Sequence, residues 1–436
     1  MDRGLYGIIL MLLSVSMLSS SLAIANGAGA NIAEGLMALT PKLGSINAVQ
    51  LYQEHSFDSD WTNRALSELK STIPDCGYVE LTAWVDTNEA RAVARTSYSG
   101  ELDSAIAKAR AMGYKIALRI HTSNGQIGFV PINTTVWFAS FADAVQYWAN
   151  YAQGKSVELF CMATEFTQLE LPQYAFGWNE VISHVRAVYS GTLTYDTNWW
   201  FDVTSQYGSL DQKLALSWLS RLDCIGISAY WEVATQNLPS VDMLIAGWHS
   251  YPQHTQAYGD DISVDIKKLS DYFHKPILFY TGLASVEGAC RQPWKSDWGS
   301  VDNSSQLEQQ NWYDAIFKVF GNYSFTAGYI CDGAWPNHAI TDEDPNGKTF
   351  SIQNKKATAV VEYWFSVERP HADSPFQLAE LLILSQVWSS KSVKLDWAPI
   401  GTFMLLITLL AIVMLGTIVF FFVATMRRTS RPRIHS

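Results

Sequence analysis

The sequence of 436 residues predicts an α/β protein, a (β/α)8 TIM barrel followed by one C-terminal transmembrane helix. Short runs rich in β-forming residues recur along the chain, and amphipathic stretches with helical periodicity lie between them. Eight such runs suit a closed barrel better than a doubly wound sheet, and no glycine-rich phosphate loop follows any of them. Hydrophobic residues make up 48% of the chain and charged residues 16%, which excludes general disorder.

The predicted strands are short, apolar and bounded by polar or turn-forming residues. They are Ser45–Leu51, Tyr78–Val85, Lys115–His121, Val157–Glu165, Thr192–Asn198, Leu222–Tyr230, Pro276–Gly282 and Ala327–Trp335. Stretches between them carry apolar residues at helical spacing. The clearest predicted helices are Leu102–Met112, Val136–Ala152, Trp178–Val188 and Gln306–Phe320. We expect these helices to pack on the outside of the barrel.

Residues 1–25 have the pattern of a secretory signal peptide. Arg3 precedes the apolar run Leu5–Leu18, and the small residues Ala23 and Ala25 follow it at the expected cleavage site. An uncleaved membrane anchor is the alternative. With the signal peptide removed, residues 26–366 are expected to form an extracellular barrel domain.

A second apolar segment, Ile400 to Thr425, contains no charged residue, and as a helix it exceeds the ~30 Å thickness of the bilayer core. A basic tail follows it, with arginines at Arg427, Arg428, Arg431 and Arg433, and stays cytoplasmic under the positive-inside rule. The sequence thus predicts a stalk over residues 367–398, a transmembrane helix over 399–426 and a cytoplasmic tail over 427–436. Packing of the stalk residues on the barrel is equally compatible with the sequence. The chain is then a single-pass type I cell-surface protein that has the lipid bilayer as a partner.

Charge and cysteine content exclude several other classes. A net charge of −11 repels phosphate backbones, so nucleic acid is not an expected partner. Cys161, Cys224 and Cys331 lie in predicted strands as expected for buried free thiols, whereas Cys76 and Cys290 belong to opposite ends of a barrel. A disulfide framework is therefore not expected. The nine histidines show no closely paired ligand spacing, and we expect neither a metal nor another cofactor.

Polar side chains at the carboxyl ends of barrel strands face the reaction site. The residues at those positions are His121, Glu165, Asn198, Tyr230, Tyr280, Asp332 and Trp335. Glu165 stands out because it closes the apolar strand Val157–Glu165, where burial would raise the pKa of its carboxyl toward that of a general acid. A structural glutamate bonded to the backbone or to Arg119 is the alternative.

Aromatic residues also concentrate at or just past the predicted strand ends. They are Trp199, Trp200, Tyr230, Trp231 and Trp335. Sugar rings have apolar faces that stack on aromatic side chains, so this set favours a carbohydrate cleft. Ordinary core packing is the alternative for each residue taken singly.

Six runs of the chain carry a resemblance to a known family. They are Val157–Glu165, Trp178–Arg186, Tyr189–Trp199, Leu222–Tyr230, Lys275–Leu278 and Gly288–Trp294. In their order and spacing they resemble glycoside hydrolase family 113, and the resemblance extends from about Ser45 to about Trp335.

This resemblance implies a retaining barrel of the β-mannanase type that uses two glutamates. The acid/base glutamate closes strand 4 in a Gly-Thr-Glu-like motif, which here is Ala163-Thr164-Glu165. The nucleophile closes strand 7 in a Glu-x-Gly-x-x-Ser-like motif, and the corresponding run is Tyr280–Ser285. Because Gly282 and Ser285 match, Tyr280 occupies the nucleophile position.

Glu165 and Tyr280 are therefore the two catalytic candidates. The residues expected to hold the sugar are Arg119, His121, Asn198, Trp199, Tyr230 and Trp335. A phenol has a pKa of about 10 and is a far weaker nucleophile than a carboxylate at neutral pH. Alternatives are a phenol activated by a neighbouring base, Glu287 reaching in from a loop, or a water activated by Asp196 or Asp332.

Three functions remain open on the sequence alone. The first is a membrane-anchored extracellular hydrolase that acts on β-linked polysaccharide of the mannan type, with Tyr280 making turnover doubtful. The second is a carbohydrate-binding surface protein that has lost hydrolysis, a pseudoenzyme. The third is a structural or adhesive protein that uses the barrel as a scaffold, since a fold does not by itself fix a function.

Overall fold

The computed structural model describes residues 46–123, 127–201, 208–253, 261–299 and 302–367. Within them the strands are β1 Ile46–Tyr52, β2 Tyr78–Thr87, β3 Ala92–Ala94, β4 Lys115–Thr122, β5 Leu159–Thr164, β6 Thr192–Asn198, β7 Ile225–Ser228, β8 Ile277–Thr281 and β9 Thr326–Pro336. Eight of these strands pair in parallel, and the pairing of β1 with both β2 and β9 closes the sheet into a barrel. The short strand β3 pairs antiparallel with the end of β2. The eight predicted strands are thus the eight barrel strands, and only β3 was not predicted.

Helices lie between most of the strands. The α-helices are α1 Asp60–Thr72, α2 Ser99–Ala111, α3 Thr134–Gly154, α4 Ala175–Arg186, α5 Leu210–Leu214, α6 Val241–Trp248, α7 Ile262–Phe273, α8 Gln306–Phe320 and α9 Ala357–Ser366. Shorter 3-10 helices are Thr96–Tyr98, Thr167–Leu169, Pro172–Tyr174, Ser217–Arg221 and Ala289–Arg291.

The polar residues that begin these helices explain where they start. Asn133 caps α3 by accepting a hydrogen bond from the backbone N–H of Val136, and Asp261 caps α7 by accepting one from Val264. Ser305 does the same for α8, whose observed bounds equal the predicted ones. Apolar faces of the helices then bury against the outside of the barrel, in the larger of two hydrophobic cores.

The second core fills the inside of the barrel. It contains Ile46, Ala48, Tyr78, Ala117, Leu159, Cys161, Cys224, Leu278, Tyr280, Ala327 and Ile330. These side chains close the lumen, so the barrel is a packed core and leaves its carboxyl end as the place for chemistry. All five cysteines are buried and free.

The segments predicted to direct the chain to the membrane lie outside the described residues. They are 1–25, 399–426, 427–436 and, apart from Val367, the stalk 367–398. Of the helices in the described part of the chain, none is long and apolar enough to cross a membrane.

Candidate active site

The end of β5 leaves the regular sheet just before Glu165. Cys161 pairs with Thr194 and Thr164 with Asp196, so β5 carries one more residue than β6 in this interval, which is a β-bulge. Glu165 itself has a left-handed backbone with a φ of 55°, and its N–H donates to the Asp196 carbonyl at 2.8 Å. A left-handed backbone conformation at a glutamate costs about 1–3 kcal/mol of stability and persists only where the surrounding structure fixes it.

A buried polar network fixes the segment that follows Glu165. The Glu170 carboxylate accepts hydrogen bonds from Tyr195 at 2.7 Å and Thr197 at 2.6 Å, and it forms an ion pair with Lys213. The Tyr195 hydroxyl in turn accepts from the backbone N–H of Phe166 at 3.1 Å. Since β6 and α5 supply these groups, the loop that carries Glu165 is attached to two further elements of the barrel.

One arginine gathers three carboxylates at the carboxyl end of the barrel. The Arg119 guanidinium on β4 lies 3.1 Å from Glu80 Oε1 on β2 and 3.2 Å from Asp196 Oδ2 on β6, and it pairs with Asp332 on β9. Arg119, Glu80 and Asp196 are fully buried, whereas 21% of the Asp332 side chain is exposed.

A single positive charge is shared among these three acids, and their pKa values separate accordingly. Burial raises the pKa of Glu80 to about 8, and it raises that of Asp196 well above its ordinary value. The pKa of Asp332 is lowered because its charge and hydrogen bonds with Arg119 and Tyr230 outweigh its desolvation. Of the three acids, Asp332 is therefore the one whose surroundings favour the ionised form.

The Glu165 carboxyl, which is half-buried, lies next to this cluster. Its pKa is raised to about 7, chiefly by burial and also by the negative charge of Asp332, while the Ser228 hydroxyl and Arg119 act in the opposite direction. A carboxylic acid with this pKa keeps its proton near neutral pH and can transfer it to a leaving group. The surroundings of Glu165 are those expected of a general acid, and its catalytic role stays a prediction.

A second bulge lies at Asp332. Val49 on β1 pairs with Cys331 and Leu51 pairs with Trp335, so three residues of β9 oppose the single residue Gln50. Gly333 permits this bend with a φ of 59°, and its N–H donates to Gln50 Oε1 at 2.7 Å. The Tyr230 hydroxyl donates to Asp332 Oδ2 at 3.0 Å. Asp332 is therefore held in one orientation at the open end of the barrel.

Tyr280 does not lie in this cleft. Its side chain is 0% exposed, points into the barrel lumen with the apolar core, and leaves its hydroxyl buried without a hydrogen-bond partner. The ring lies under Arg119, whose Cζ is 4.7 Å from the ring centroid. Burial raises the pKa of the phenol well above its ordinary value. The prediction that Tyr280 is a catalytic group in contact with substrate is corrected, because the regular pleat of β8 directs its side chain inward.

An aromatic wall forms one side of the open end. Tyr230 meets Trp199 edge to face at 5.7 Å, and Trp199 stacks on Trp294 with ring centroids 5.6 Å apart. Trp294 is 37% exposed, while Tyr230 and Trp199 are largely covered. Trp294 thus presents the accessible ring of the wall, which we define as Trp199, Tyr230 and Trp294.

The other aromatic residues of the predicted set belong to the core. Trp335 is fully buried and its indole donates to the Ala65 carbonyl of α1 at 3.0 Å, so its side chain faces the helix layer. The prediction that Trp335 binds the sugar is corrected for this reason. Trp200 and Trp231 pack edge to face at 4.8 Å inside the same hydrophobic core.

The two remaining predicted sugar ligands lie at the ends of β4 and β6, on either side of β5. His121 is half-buried at the end of β4, and burial together with the Arg119 charge lowers its pKa to about 3, so it is neutral. Asn198 at the end of β6 is fully buried, and neither its Oδ1 nor its Nδ2 has a hydrogen-bond partner. An unpaired buried amide is the kind of group that a bound hydroxyl satisfies.

Sequence reasoning missed Glu80, the Glu170–Lys213 pair and Trp294. Glu80 had a signal, because it is a carboxylate inside the apolar strand Tyr78–Val85, the same criterion that singled out Glu165. Trp294 is the last residue of Gly288–Trp294, one of the runs that resemble the family, but it is not among the predicted sugar-binding residues. The proximity of Glu170 and Lys213 has no sequence signal, since 43 positions separate them.

Glu287, an alternative second carboxylate, is engaged elsewhere. It accepts hydrogen bonds from Asn237 at 3.3 Å and from Asn303 at 3.0 Å, and it lines a surface pocket with Ser304 and Lys356. Within the described residues, no three His, Cys, Asp or Glu side chains are grouped to hold a metal ion.

The protein is a closed (β/α)8 barrel with acidic groups gathered at the carboxyl ends of its strands, the end at which barrel enzymes have their active sites. The model of Glycoside Hydrolase Family 113 matches residues 50–355, which is most of the chain. The chain belongs to this family.

Solved structures of the family share the fold at low sequence identity. The GH113 β-mannanase AaManA from Alicyclobacillus acidocaldarius, in complex with ManMIm, is 21% identical with a TM-score of 0.59, and the match covers 75% of this chain and 99% of that one. Two structures of GH113 β-1,4-mannanase, one of them a complex, are each 18% identical, with TM-scores of 0.58 and 0.57 and coverage of 75% of this chain and 100% of theirs. No curated protein matches the sequence.

Proposed function

We propose that this protein is a membrane-anchored extracellular glycoside hydrolase that acts on β-linked polysaccharide of the mannan type, with Glu165 as its general acid/base. The observation that carries the proposal is the placement of Glu165. It is a half-buried carboxyl at a bulged strand end, with a pKa of about 7. That placement suits proton transfer to a glycosidic oxygen.

The aromatic wall supports a sugar as the ligand. Trp294 offers an exposed ring beside the acidic cluster, and a pyranose ring stacks on such a surface through its C–H groups. The neutral ring of His121 lies near the same end and suits hydroxyl groups better than a charged one would. The mannan preference rests on the family and on its β-mannanases of known structure.

The negative charge on Asp332 gives Glu165 its role. Together with burial, which is the larger cause, it raises the pKa of Glu165 and so favours the protonated acid, and the same field favours positive charge that develops on the sugar ring. After the leaving group departs, the Glu165 carboxylate accepts a proton from water.

Binding and turnover test this function in the full chain. We expect calorimetry to detect binding of mannooligosaccharides, and a reducing-sugar assay to detect sugar released from β-mannan. Glu165→Gln should lower turnover on mannan by about 10²–10⁴-fold while binding is kept. Glu362→Gln, at an exposed position of α9, is the matched control and should behave as the natural protein. Equal turnover in both variants would show that Glu165 is not the acid.

The second candidate is a carbohydrate-binding protein without hydrolysis, a pseudoenzyme. The tyrosine at position 280, where the family motif has its nucleophile, is the observation that favours it. This candidate predicts mannooligosaccharide binding that Trp294→Ala weakens, together with no release of reducing sugar. A protein with neither binding nor release would instead be the scaffold or adhesive type.

Topology has its own experiment. The charge-free run Ile400–Thr425 and the arginines after it predict that the barrel is outside the cell and the C-terminus inside. Protease added to intact cells should therefore digest the barrel and leave a short C-terminally tagged fragment. A barrel that survives in intact cells and is digested only after lysis contradicts this topology.

A further inference from the structure

The proposed hydrolysis requires a second carboxylate in the cleft. A retaining mechanism places it about 5–5.5 Å from the acid, where it attacks the anomeric carbon. At position 280 the chain has a phenol that is wholly buried in the lumen, with its hydroxyl directed away from solvent. The cleft must therefore obtain the attacking group from another strand, or it does not hydrolyse.

We propose that Asp332, at the end of β9, is the catalytic nucleophile that attacks the anomeric carbon while Glu165 protonates the leaving oxygen. This assignment rests on the proposed function. It differs from the family motif by one strand, because β9 is the neighbour of β8 in the barrel.

The strand pairing and the exposure of the acids favour Asp332 as the nucleophile. Asp332 lies in a β-bulge and Glu165 follows one, and bulges re-aim side chains next to active sites, whereas β8 keeps a regular register at Tyr280. Of the three acids paired with Arg119, only Asp332 has an exposed fraction, at 21%. It is thus the member of the cluster that a sugar ring can reach.

Two hydrogen-bond donors orient the Asp332 carboxylate. Arg119 pairs with Oδ1 and the Tyr230 hydroxyl donates to Oδ2 at 3.0 Å. These contacts fix the plane of the carboxylate and keep it ionised, and they leave further lone pairs on both oxygens for attack. The pKa of Asp332 is lowered while that of Glu165 is raised to about 7, a separation expected of an anion and an acid in one site.

The other acids of the cluster do not suit the role. Glu80 and Asp196 are fully buried, and burial raises their pKa values, that of Glu80 to about 8, so burial disfavours the anionic form that a nucleophile needs. Asp196 also accepts hydrogen bonds from the Ser228 hydroxyl at 3.0 and 3.1 Å. These two acids share Arg119 with Asp332 and thereby position the guanidinium.

The chemistry balances with water as the only co-reactant. An Asp332 oxygen forms a bond to the anomeric carbon, the bond from that carbon to the glycosidic oxygen breaks, and the Glu165 proton moves to the departing oxygen. Water then attacks the same carbon, gives its proton to Glu165 and releases Asp332 as a carboxylate. The product keeps the β configuration.

A trapping experiment on the full chain tests the assignment. A 2-deoxy-2-fluoro-β-mannosyl fluoride forms the glycosyl ester quickly and slows its hydrolysis, so mass spectrometry of the digested protein locates the nucleophile. We expect the adduct on the peptide that contains Asp332. An adduct on any other residue overturns the assignment.

Chemical rescue gives a second readout that a purely structural role would not move. Asp332→Ala should lower turnover of an activated aryl β-mannoside by about 10³-fold or more, and azide should restore turnover by forming the α-mannosyl azide. Asp58→Asn, at an exposed position after β1, is the control and should need no rescue. An Asp332→Ala protein that folds and keeps its turnover contradicts the proposal.

The same set of measurements separates this inference from the function on which it rests. Mannooligosaccharide binding without adduct or turnover overturns Asp332 as nucleophile and leaves a binding protein. Absence of binding overturns the proposed function, and the nucleophile assignment fails with it.

Discussion

The ends of β8 and β9 are neighbours in the barrel, yet they present different chemistry. On β8 the pairing with both neighbouring strands is regular from Leu278 to Tyr280. Tyr280 pairs with Ser228 on one side and Ile330 on the other, and its side chain points into the apolar lumen. On β9 a bulge opposite Gln50 interrupts the pairing at Asp332, which emerges at the open end beside Arg119 and Tyr230.

Position 226 shows how the lumen accommodates the tyrosine. A Cβ at Gly226 on β7 would lie 2.8 Å from Cε2 of Tyr280 and 2.8 Å from the Tyr195 carbonyl oxygen. The tyrosine ring fills space that a side chain on β7 would otherwise occupy. A regular strand end thus contributes to packing, while Glu165 and Asp332, the two groups of the proposed reaction, belong to strands with bulges.

Removal of the shared cation should have the largest effect on the folded protein. Arg119→Met leaves the Asp332 charge without its partner among buried acids, so we expect a loss of about 3–5 kcal/mol in the free energy of unfolding. Denaturant titration of the two proteins measures it. Arg95→Met breaks an exposed pair with Asp86 and should cost about 1 kcal/mol or less. Equal losses in the two variants would show that the cluster is not held by Arg119.

Turnover should depend on pH through both Glu165 and Asp332, because the reaction needs the first protonated and the second ionised. Glu165 must carry its proton, so turnover should fall by about tenfold per pH unit above a pH of about 7. Asp332 must be ionised, and because its pKa is lowered, it should stay ionised at pH values below the ordinary pKa of an aspartate. A pH profile of kcat/KM on mannan measures both limbs. A basic limb that stays in place in Glu165→Gln would assign that limb to another group.

Stability should also depend on pH through Glu80. Its pKa is raised from 4.5 to about 8 in the folded state, so the folded protein binds more protons than the unfolded one between these values. The free energy of unfolding should therefore fall as the pH rises from 4.5 toward 8. Glu80→Gln should weaken this dependence, and an unchanged slope would show that Glu80 does not cause it.

Substitution at Gly226 should have a smaller effect, confined to packing. Gly226→Ala places a methyl group against the Tyr280 ring and a backbone carbonyl, and such overpacking costs about 1–3 kcal/mol. Gly100→Ala, which meets nothing within 4 Å in α2, is the control and should be neutral or stabilising. Thermal unfolding of the two variants compares them, and equal midpoints would mean that the lumen is less tightly packed than described.

Tyr280→Phe should have the smallest effect of all. It removes a buried hydroxyl that has no hydrogen-bond partner, so the free energy of unfolding should change by about 1 kcal/mol or less, toward greater stability. Turnover and binding should be unchanged, because the group lies below the cleft. A large loss of turnover would return Tyr280 to the reaction and remove Asp332 from it.

Local patterns in the amino-acid sequence were enough to predict the barrel and to single out Glu165. Apolar runs at strand length, separated by helical periodicity, predicted all eight barrel strands, and the carboxylate that ends Val157–Glu165 was singled out because an apolar strand rarely ends that way. The family motifs agreed with this assignment. These signals are local, since each depends on residues within one element.

The directions of the side chains at the strand ends were decided only by the tertiary structure. Tyr280 and Trp335 were both expected in the cleft, but one faces the lumen and the other faces α1. Successive residues of a strand point to opposite faces, so one extra residue, as in β5, reverses the side chains beyond it, whereas in β9 the three residues opposite Gln50 interrupt the alternation at Asp332. The bulges at Glu165 and Asp332 depend on how β5 and β9 pair with their neighbours, and pairing between distant segments leaves no mark in the sequence of either strand.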